Sequence, residues 1–424
     1  LVEDERSDIV IVDPRPPLTL TSDKSTECYR NWWPSRPMVQ LMNRSLDLLD
    51  EYAAESHNVF GLNRRGYLYV AADDDAMARM TEAAHQATAA GAGQLRIHDR
   101  RGSAYDPEPL PGHAGADLFR DGTELHRHFP YLPRNVVGGL HARRAGWLSA
   151  QQLGMWMLDQ ARAAGVSVVR SRVAGVELGD ERVRAVTLEN GASLETPVFV
   201  NAAGPMLPDV ARMLGIDLPV FSEVHAKTTF RDHFGSLPRT APMIIWSDPQ
   251  RVPWSQQEAS LLRREGRDDL LGLLPPGCHA RPEGGAESPW VIGLWEYGAR
   301  RVRPQWPIPL DPMYTEMVLR GLASMVPAFS RYFDHIPEAV VDGGYYTKTS
   351  DNLPLAGPAG PHGSFVCGAL SGFGIMAACG VGELVARSII GSELPDWAAW
   401  FDLHRYDDPA LAAQISALGS TGQL

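Results

Sequence analysis

The chain has 424 residues, 44 % of them apolar, and a formal charge of −12, enough length and core for two or three domain-sized units. No basic tract stands out, which argues against nucleic acid as a partner, and no apolar run approaches the roughly 18 residues of a membrane span. The four cysteines (Cys28, Cys278, Cys367 and Cys379) include no CxxC pair, which argues against a zinc site or a disulfide framework and fits a reducing, cytoplasmic setting.

The first residue is Leu1 rather than methionine, so the chain is expected to begin inside a longer product, with any signal peptide upstream. Leu1-Val2-Glu3 reads as the tail of a helix. Asp8 to Asp13 is Asp-Ile-Val-Ile-Val-Asp, four β-prone apolar residues that suit a buried parallel strand. Pro14, Pro16 and Pro17 stop it. Asp13 stands where the second strand of a dinucleotide-binding βαβ unit ends in a ribose-binding acid; it reads equally as a surface acid after a strand.

Met38, Leu41, Met42, Leu46, Leu49 and Tyr52 fall on one face of a helix over 38–52. Residues 66–71 read as a short strand, and Asp73-Asp74-Asp75 as the solvated first turn of a helix running to Gly91. Residues 98–128, rich in Gly, Pro, His and charge, read as loop. His126 and His128 lie there with no further metal ligands at helical spacing. A long amphipathic helix follows over 150–164, closed by Gly165, then a strand over 166–170. Residues 173–178 and 183–188 with the Glu189-Asn190-Gly191 turn read as a β-meander. Val198 to Gly204, Val-Phe-Val-Asn-Ala-Ala-Gly, reads as a buried strand stopping at glycine, followed by a helix ending near Leu214.

The middle segment, 216–335, holds strands near 224–230, 243–246 and 290–295, with a polar insertion over 248–288 that suits a lid. After it come Gly343-Gly344-Tyr345-Tyr346-Thr347-Lys348-Thr349-Ser350-Asp351-Asn352-Leu353-Pro354, the apolar Phe365-Val366-Cys367, then Ser371-Gly372-Phe373-Gly374 and a helix over 375–390. A strand ending in a glycine cluster that opens a helix offers bare backbone N–H groups and the positive end of the helix dipole. Such a device suits a phosphate, a carboxylate or a ring that gains negative charge on reduction. Alternating strands and helices mean α/β. Gly368-Ala369-Leu370-Ser371-Gly372 is not a G-x-S-x-G elbow, and no P-loop, HExxH or EF-hand pattern occurs.

Three separated pieces fit one pattern: the strand ending at Asp13, the strand ending Asn201-Ala202-Ala203-Gly204, and the segment from Asp351 to Gly374. In that order, over nearly the whole chain, they resemble the FAD-dependent oxidoreductases of the D-amino acid oxidase superfamily, which includes sarcosine oxidase, glycine oxidase and dimethylglycine dehydrogenase. The resemblance implies an α/β fold with a discontinuous Rossmann-like FAD-binding domain (1–36, 145–215 and 336–424). A second, mixed-sheet α+β substrate domain (37–144 and 216–335) completes it. It implies that Asp13 binds the adenosine ribose, that Ser25 and Thr26 run beside the pyrophosphate and isoalloxazine, and that the backbone of Val173 reads the adenine edge. Ala203 and Gly204 would pass close to the dinucleotide. Gly372, Phe373, Gly374 and Ile375 would present N–H groups to the flavin N1–C2 edge, where charge gathers on reduction. Asp351 belongs to the motif on the flavin side.

Departures from the family pattern shape the expected chemistry. The N-terminal Gly-rich turn is absent from this sequence. Gly344 stands where several relatives attach flavin through cysteine, which rules out that site of attachment; attachment through a residue upstream of Leu1 stays open. Met376 replaces the lysine that binds substrate carboxylate in sarcosine-oxidase-like members. The Trp290-Val291-Ile292-Gly293 strand carries no lysine of the kind that helps oxygen react in those oxidases. The resemblance therefore implies oxidation of a CH–N bond in a secondary amine or amino acid to an imine, more in the manner of a dehydrogenase than an oxidase. The electron acceptor stays open among oxygen, quinone and an electron-transfer protein. Substrate carboxylates usually meet an arginine fork; Arg30 is the first candidate and Arg281, in His279-Ala280-Arg281-Pro282, the second. Arg30 reads equally as a surface residue or a structural ion pair. Of Tyr345 and Tyr346, period two lets only one face the cavity. Trp32, Trp33 and Trp295 suit either core or pocket. Two alternatives remain: the same fold acting on a 2-hydroxy acid or polyol, and a flavin-free binding or assembly partner.

Overall fold

The computed structural model describes residues 8–99, 105–109 and 112–417; the expected helix tail at Leu1-Val2-Glu3 lies outside them. The expected strand at Asp8–Asp13 forms over Val10–Val12 and pairs in parallel with Ser167–Val169. It is not buried: Val10 and Ile11 are 43 % and 40 % exposed. Its apolar run predicts a covered strand, but among the described residues it has a neighbour on one side only. The meander expected after residue 173 is a three-stranded antiparallel sheet of Val173–Gly179, Arg182–Leu188 and Ser193–Glu195. Phe199–Asn201 pairs in parallel with Ser364–Gly368, which pairs antiparallel with Leu355–Pro358.

A ten-stranded mixed sheet dominates the molecule. From one edge its order is Arg301–Val302, Val220–Arg231, Trp290–Leu294, His279–Glu283, Met243–Trp246, Tyr67–Ala71, Gly138–Ala142, Ala116–Phe119 and Leu95–His98. The tenth strand, Ala339–Thr349, pairs antiparallel with Val220–Arg231 along its whole length. The sheet thus takes in a strand from the stretch that begins at residue 336. The apolar face of helix Tyr314–Met325 covers this sheet, with Met317, Val318 and Leu322 buried.

Helix Arg36–Glu55 buries Met38, Leu41, Met42, Leu46 and Leu49, the face its spacing predicts. That face packs on helix Gly374–Ile390. A Cβ at Gly380 would meet Leu41 Cδ1 at 2.9 Å and the Leu41 carbonyl at 3.1 Å, so glycine lets the two helices come this close without crowding. Gly391, in the left-handed region at φ 70°, closes the helix.

The reading of 98–128 as loop is corrected. Ala116–Phe119 is a buried strand between Leu95–His98 and Gly138–Ala142, and Gly122–His128 is a short helix capped by Asp121. Its polar composition hides the strand. Asp117, an acid in the middle of a sheet, is matched by Arg96 (2.7 Å), His98 (2.9 Å) and Arg143 (3.0 Å). Burial opposes the charge, but these partners hold its carboxyl down to about 2. The insertion over 248–288 is tied down at its helix Gln256–Arg264 by Arg320, which pairs with Glu258 and Glu316.

Candidate active site

The 3-10 turn Thr21–Asp23 leads through Lys24, Ser25, Thr26 and Glu27 into the strand Cys28–Arg30, which pairs with Ala145–Trp147. Strand alternation turns Cys28 and Arg30 to one side and Tyr29 to the other, where the Tyr29 hydroxyl donates to the Asn63 carbonyl. The side with Cys28 and Arg30 faces a cavity of about 80 Å³. Ser25, Thr26, Tyr346, Gly372 and Phe373 line it too, so six of the expected site residues, Arg30 included, meet there.

Arg30 is buried, 7 % exposed. Its guanidinium lies 4.2 Å from the Trp33 ring centre and donates to the Tyr69 hydroxyl. Stacking of this kind fixes the plane of the fork. Trp33 in turn meets Phe373 edge-on, ring centres 5.4 Å apart. Its Nε1 is buried without a hydrogen-bond partner, an orphan donor in a residue on the cavity wall. Beside it helix Gly374–Ile390 begins with no side-chain cap, and Gly372, Phe373 and Met376 of that turn line the cavity. An uncapped helix N-terminus and an orphan indole N–H suit a ligand edge rich in acceptors. These residues fit the carbonyl edge of the flavin ring that the sequence resemblance implies.

Tyr346, not Tyr345, faces the cavity; the Tyr345 hydroxyl donates to the Gln305 carbonyl at 2.6 Å. Arg281 is fully buried and does not line the cavity. It donates from Nε to the Thr26 carbonyl (2.6 Å), pairs with Glu283, and lies 3.7 Å from Glu27. Gly344 packs against the Thr21–Lys24 turn, where a Cβ would meet Lys24 Cβ at 3.0 Å and Thr21 Cα at 3.2 Å. Asp351 is held by a two-armed pair with Arg405 (2.8 and 3.0 Å), by the Thr349 hydroxyl and by the Leu353 N–H. Gly374 and Ile375 continue the helix start behind the cavity wall. Asp13 stands at the C-terminal end of Val10–Val12, its Oδ1 accepting from the Arg15 N–H. Val173 opens the meander, and Ala203 and Gly204 turn the chain after Phe199–Asn201. None of these four lines the cavity.

Sequence reasoning missed a second polar group. Glu296 lines the cavity just beyond strand Trp290–Leu294. From the antiparallel pair Thr228 and Gly293, three residues back along one strand and three forward along the other, it stands opposite His225. His225 Nδ1 pairs with Glu296 and its Nε2 lies 3.3 Å from Glu223, which also accepts from Lys348 at 2.6 Å. Burial opposes a charged imidazole, but Glu296 and Glu223 outweigh it and raise the basicity of His225. The bond from His225, then Lys348, hold Glu223 down to about 2 despite burial. Burial likewise opposes the charge of Glu296, and His225 and Lys348 outweigh it, lowering its pKa. The signal in the sequence is Glu223-x-His225-x-Lys227, three charged or ionisable residues at period two along one strand. His279, also on the wall, is kept neutral by burial, with Nδ1 at 2.8 Å from the Gly277 carbonyl. Among the described residues no group of three or more His, Cys, Asp or Glu could hold a metal ion, and no helix is long and apolar enough to cross a membrane.

Solved structures share this architecture. L-proline dehydrogenase from P. horikoshii is 18 % identical with a TM-score of 0.73, over 96 % of this chain and 93 % of that one. Glycine oxidase from Geobacillus kaustophilus is 16 % identical with a TM-score of 0.70, over 93 % and 91 %. Iminodiacetate oxidase from Chelativorans sp. BNC1 is 15 % identical with a TM-score of 0.65, over 93 % and 92 %. No curated protein matches the sequence. The family model described as DAO, FAD dependent oxidoreductase, matches residues 1–388. With its α/β fold and its flavin-compatible cavity, the chain belongs to this family of FAD-dependent oxidoreductases.

Proposed function

We propose that the protein oxidises the CH–N bond of an amino acid or secondary amine to an imine, which water then hydrolyses, and that it works as a dehydrogenase. The observation that carries the reading is the shared cavity of Arg30 and the uncapped helix start. A stacked, buried guanidinium suits a substrate carboxylate, and places it against the wall that suits the flavin. The names of the similar structures, proline dehydrogenase, glycine oxidase and iminodiacetate oxidase, all describe enzymes of carboxylate-bearing amines.

FAD, when bound, would supply the hydride acceptor. Ser25, Thr26 and the Gly372–Ile375 turn would hold the ring. Asp13 would hold the ribose, Val173 the adenine, and Ala203 with Gly204 the dinucleotide backbone. Arg281 serves by fixing the Thr26 carbonyl, Gly344 by admitting the Thr21–Lys24 turn, and Asp351 by anchoring the segment before the glycine turn. Tyr346 and Phe373 exclude water beside the reacting carbon.

Support for a dehydrogenase is the absence of a lysine from the cavity wall. Met376 occupies one expected place. Lys227, on the strand beside Trp290–Leu294, donates to the Asp23 carbonyl at 2.8 Å and does not line the cavity. The test is anaerobic mixing of the FAD-loaded protein with L-proline, N-methylglycine and glycine. Bleaching of the flavin band by at least one is expected, followed by slow recovery in air and fast recovery with an artificial electron acceptor. No bleaching by any amine sinks the activity; fast recovery in air sinks the dehydrogenase assignment alone.

A further inference from the structure

Basic and acidic side chains alternate toward the cavity: Lys348, Glu223, His225 and Glu296. The member that reaches the cavity is a carboxylate. The His225 side chain is wholly buried and lies flat on Tyr346, ring centres 3.8 Å apart at 13°. This packing keeps its Nδ1 in ion-pair contact with Glu296. The side chain of Glu296 remains 31 % exposed, and it opens on the cavity. One of its oxygens meets His225; among the described residues the other has no partner.

The same cavity therefore has one fixed cation, Arg30, and one fixed anion, Glu296. The other titratable side chains on its wall, His279, Tyr346, Tyr67 and Cys28, are buried groups whose neutral forms are favoured. The wall charges sum to zero. A zwitterion satisfies both, whereas a 2-hydroxy acid brings a net negative charge that Arg30 matches and Glu296 repels.

We propose that Glu296, held by His225, is the residue that receives the substrate's ammonium and sets the preference for 2-amino acids over 2-hydroxy acids. This rests on the reading of Arg30 as the carboxylate fork. Glu296 acts by contact with substrate; His225, Glu223 and Lys348 are positioning residues behind it.

The probes are 2-aminoisobutyrate and 2-hydroxyisobutyrate, which share a shape and have no hydrogen on the reacting carbon, so neither is consumed. Binding to the FAD-loaded protein is read by calorimetry. The native protein is expected to bind the amino compound about ten- to a hundredfold more tightly, the size of one charge-assisted contact. Glu296→Gln, nearly isosteric, is expected to abolish that preference while leaving the hydroxy compound within about threefold. Glu296→Asp keeps the charge but withdraws it, and is expected to retain a smaller preference. Arg30→Gln is expected to weaken both compounds alike. A full preference surviving in either Glu296 variant, or none in the native protein, overturns the proposal. Unchanged binding in Arg30→Gln overturns the carboxylate fork instead, and the Glu296 result is then read separately.

Discussion

Glu27 shows how the cavity wall is held at the level of single residues. It sits between Thr26 and Cys28, 7 % exposed, with a left-handed backbone at φ 55°. Burial, then its hydrogen bond with Asp23, push its carboxyl up to about 7, against the pull of Lys227 and Arg281. The sign follows from proton counting. Between its ordinary value of 4.5 and about 7 the folded protein binds a proton there that the unfolded chain has released. Stability from this group therefore falls as pH rises through that window, by roughly 3 kcal/mol. Urea unfolding of the native protein and of Glu27→Gln at pH 5 and 7.5 should show that loss only in the native protein; equal pH slopes would rule it out. Arg30 gives a second expectation. Arg30→Lys keeps the charge but loses the planar fork and the stack on Trp33, so KM for an amino acid should rise about tenfold or more, for a lost charge-assisted hydrogen bond, with kcat much less changed. Steady-state kinetics decide it, and an unchanged KM removes the fork. Arg30 was legible because it follows Ser25 and Thr26 closely in the chain. Glu296 was not, because its partner His225 lies seventy-one residues earlier and only sheet register brings them together.

At the level of elements, the turn between Ala339–Thr349 and Leu355–Pro358 is fastened by one buried pair. Arg405, 1 % exposed, joins Asp351 and also donates to the Pro354 carbonyl at 2.9 Å. This ties the C-terminal segment to the strand that supplies Tyr346. Burial opposes the charge on Asp351, but Arg405 outweighs it and the carboxyl stays below its ordinary value. Stability from it is present above the unfolded value and is lost as pH falls through the folded one. Arg405→Met should cost about 3–5 kcal/mol, because the aspartate is left buried and unpaired. The double variant with Asp351→Asn should cost less than the two single changes added; thermal melts of all four proteins test this, and simple additivity contradicts it. The Thr-Ser-Asp-Asn-Leu-Pro motif was readable in sequence, yet its aspartate turns to Arg405, a contact no local pattern announces. Helices over 36–55, 150–163 and 374–390 were readable from their period because each buries one stripe. The strand Ala116–Phe119 was unreadable because its charge is neutralised only by tertiary partners.

Across the whole molecule, the cavity is built by pieces that nothing else gathers. Arg30 and Trp33 come from the first stretch, Met243, His279 and Tyr346 from the ten-stranded sheet, Glu296 from just beyond its strand Trp290–Leu294, and Gly372, Phe373 and Met376 from the start of a helix that packs elsewhere, on Arg36–Glu55. A ligand held by all of these couples the sheet to the helical layer, so its binding free energy becomes folding free energy for both. Stripping FAD should therefore lower the melting temperature. Restoring it should raise the temperature continuously with FAD concentration, by the equivalent of about 2.7 kcal/mol at a hundred times Kd. The location of the gain matters as much as its size. Hydrogen exchange should slow at Ser25, Thr26, Gly372, Phe373 and Met376, which line the cavity, and hardly at Leu95–His98, at the far edge of the sheet. A melting temperature indifferent to FAD would detach the cofactor from this cavity. Protection spread evenly over the sheet would mean that FAD stabilises the fold from some other place.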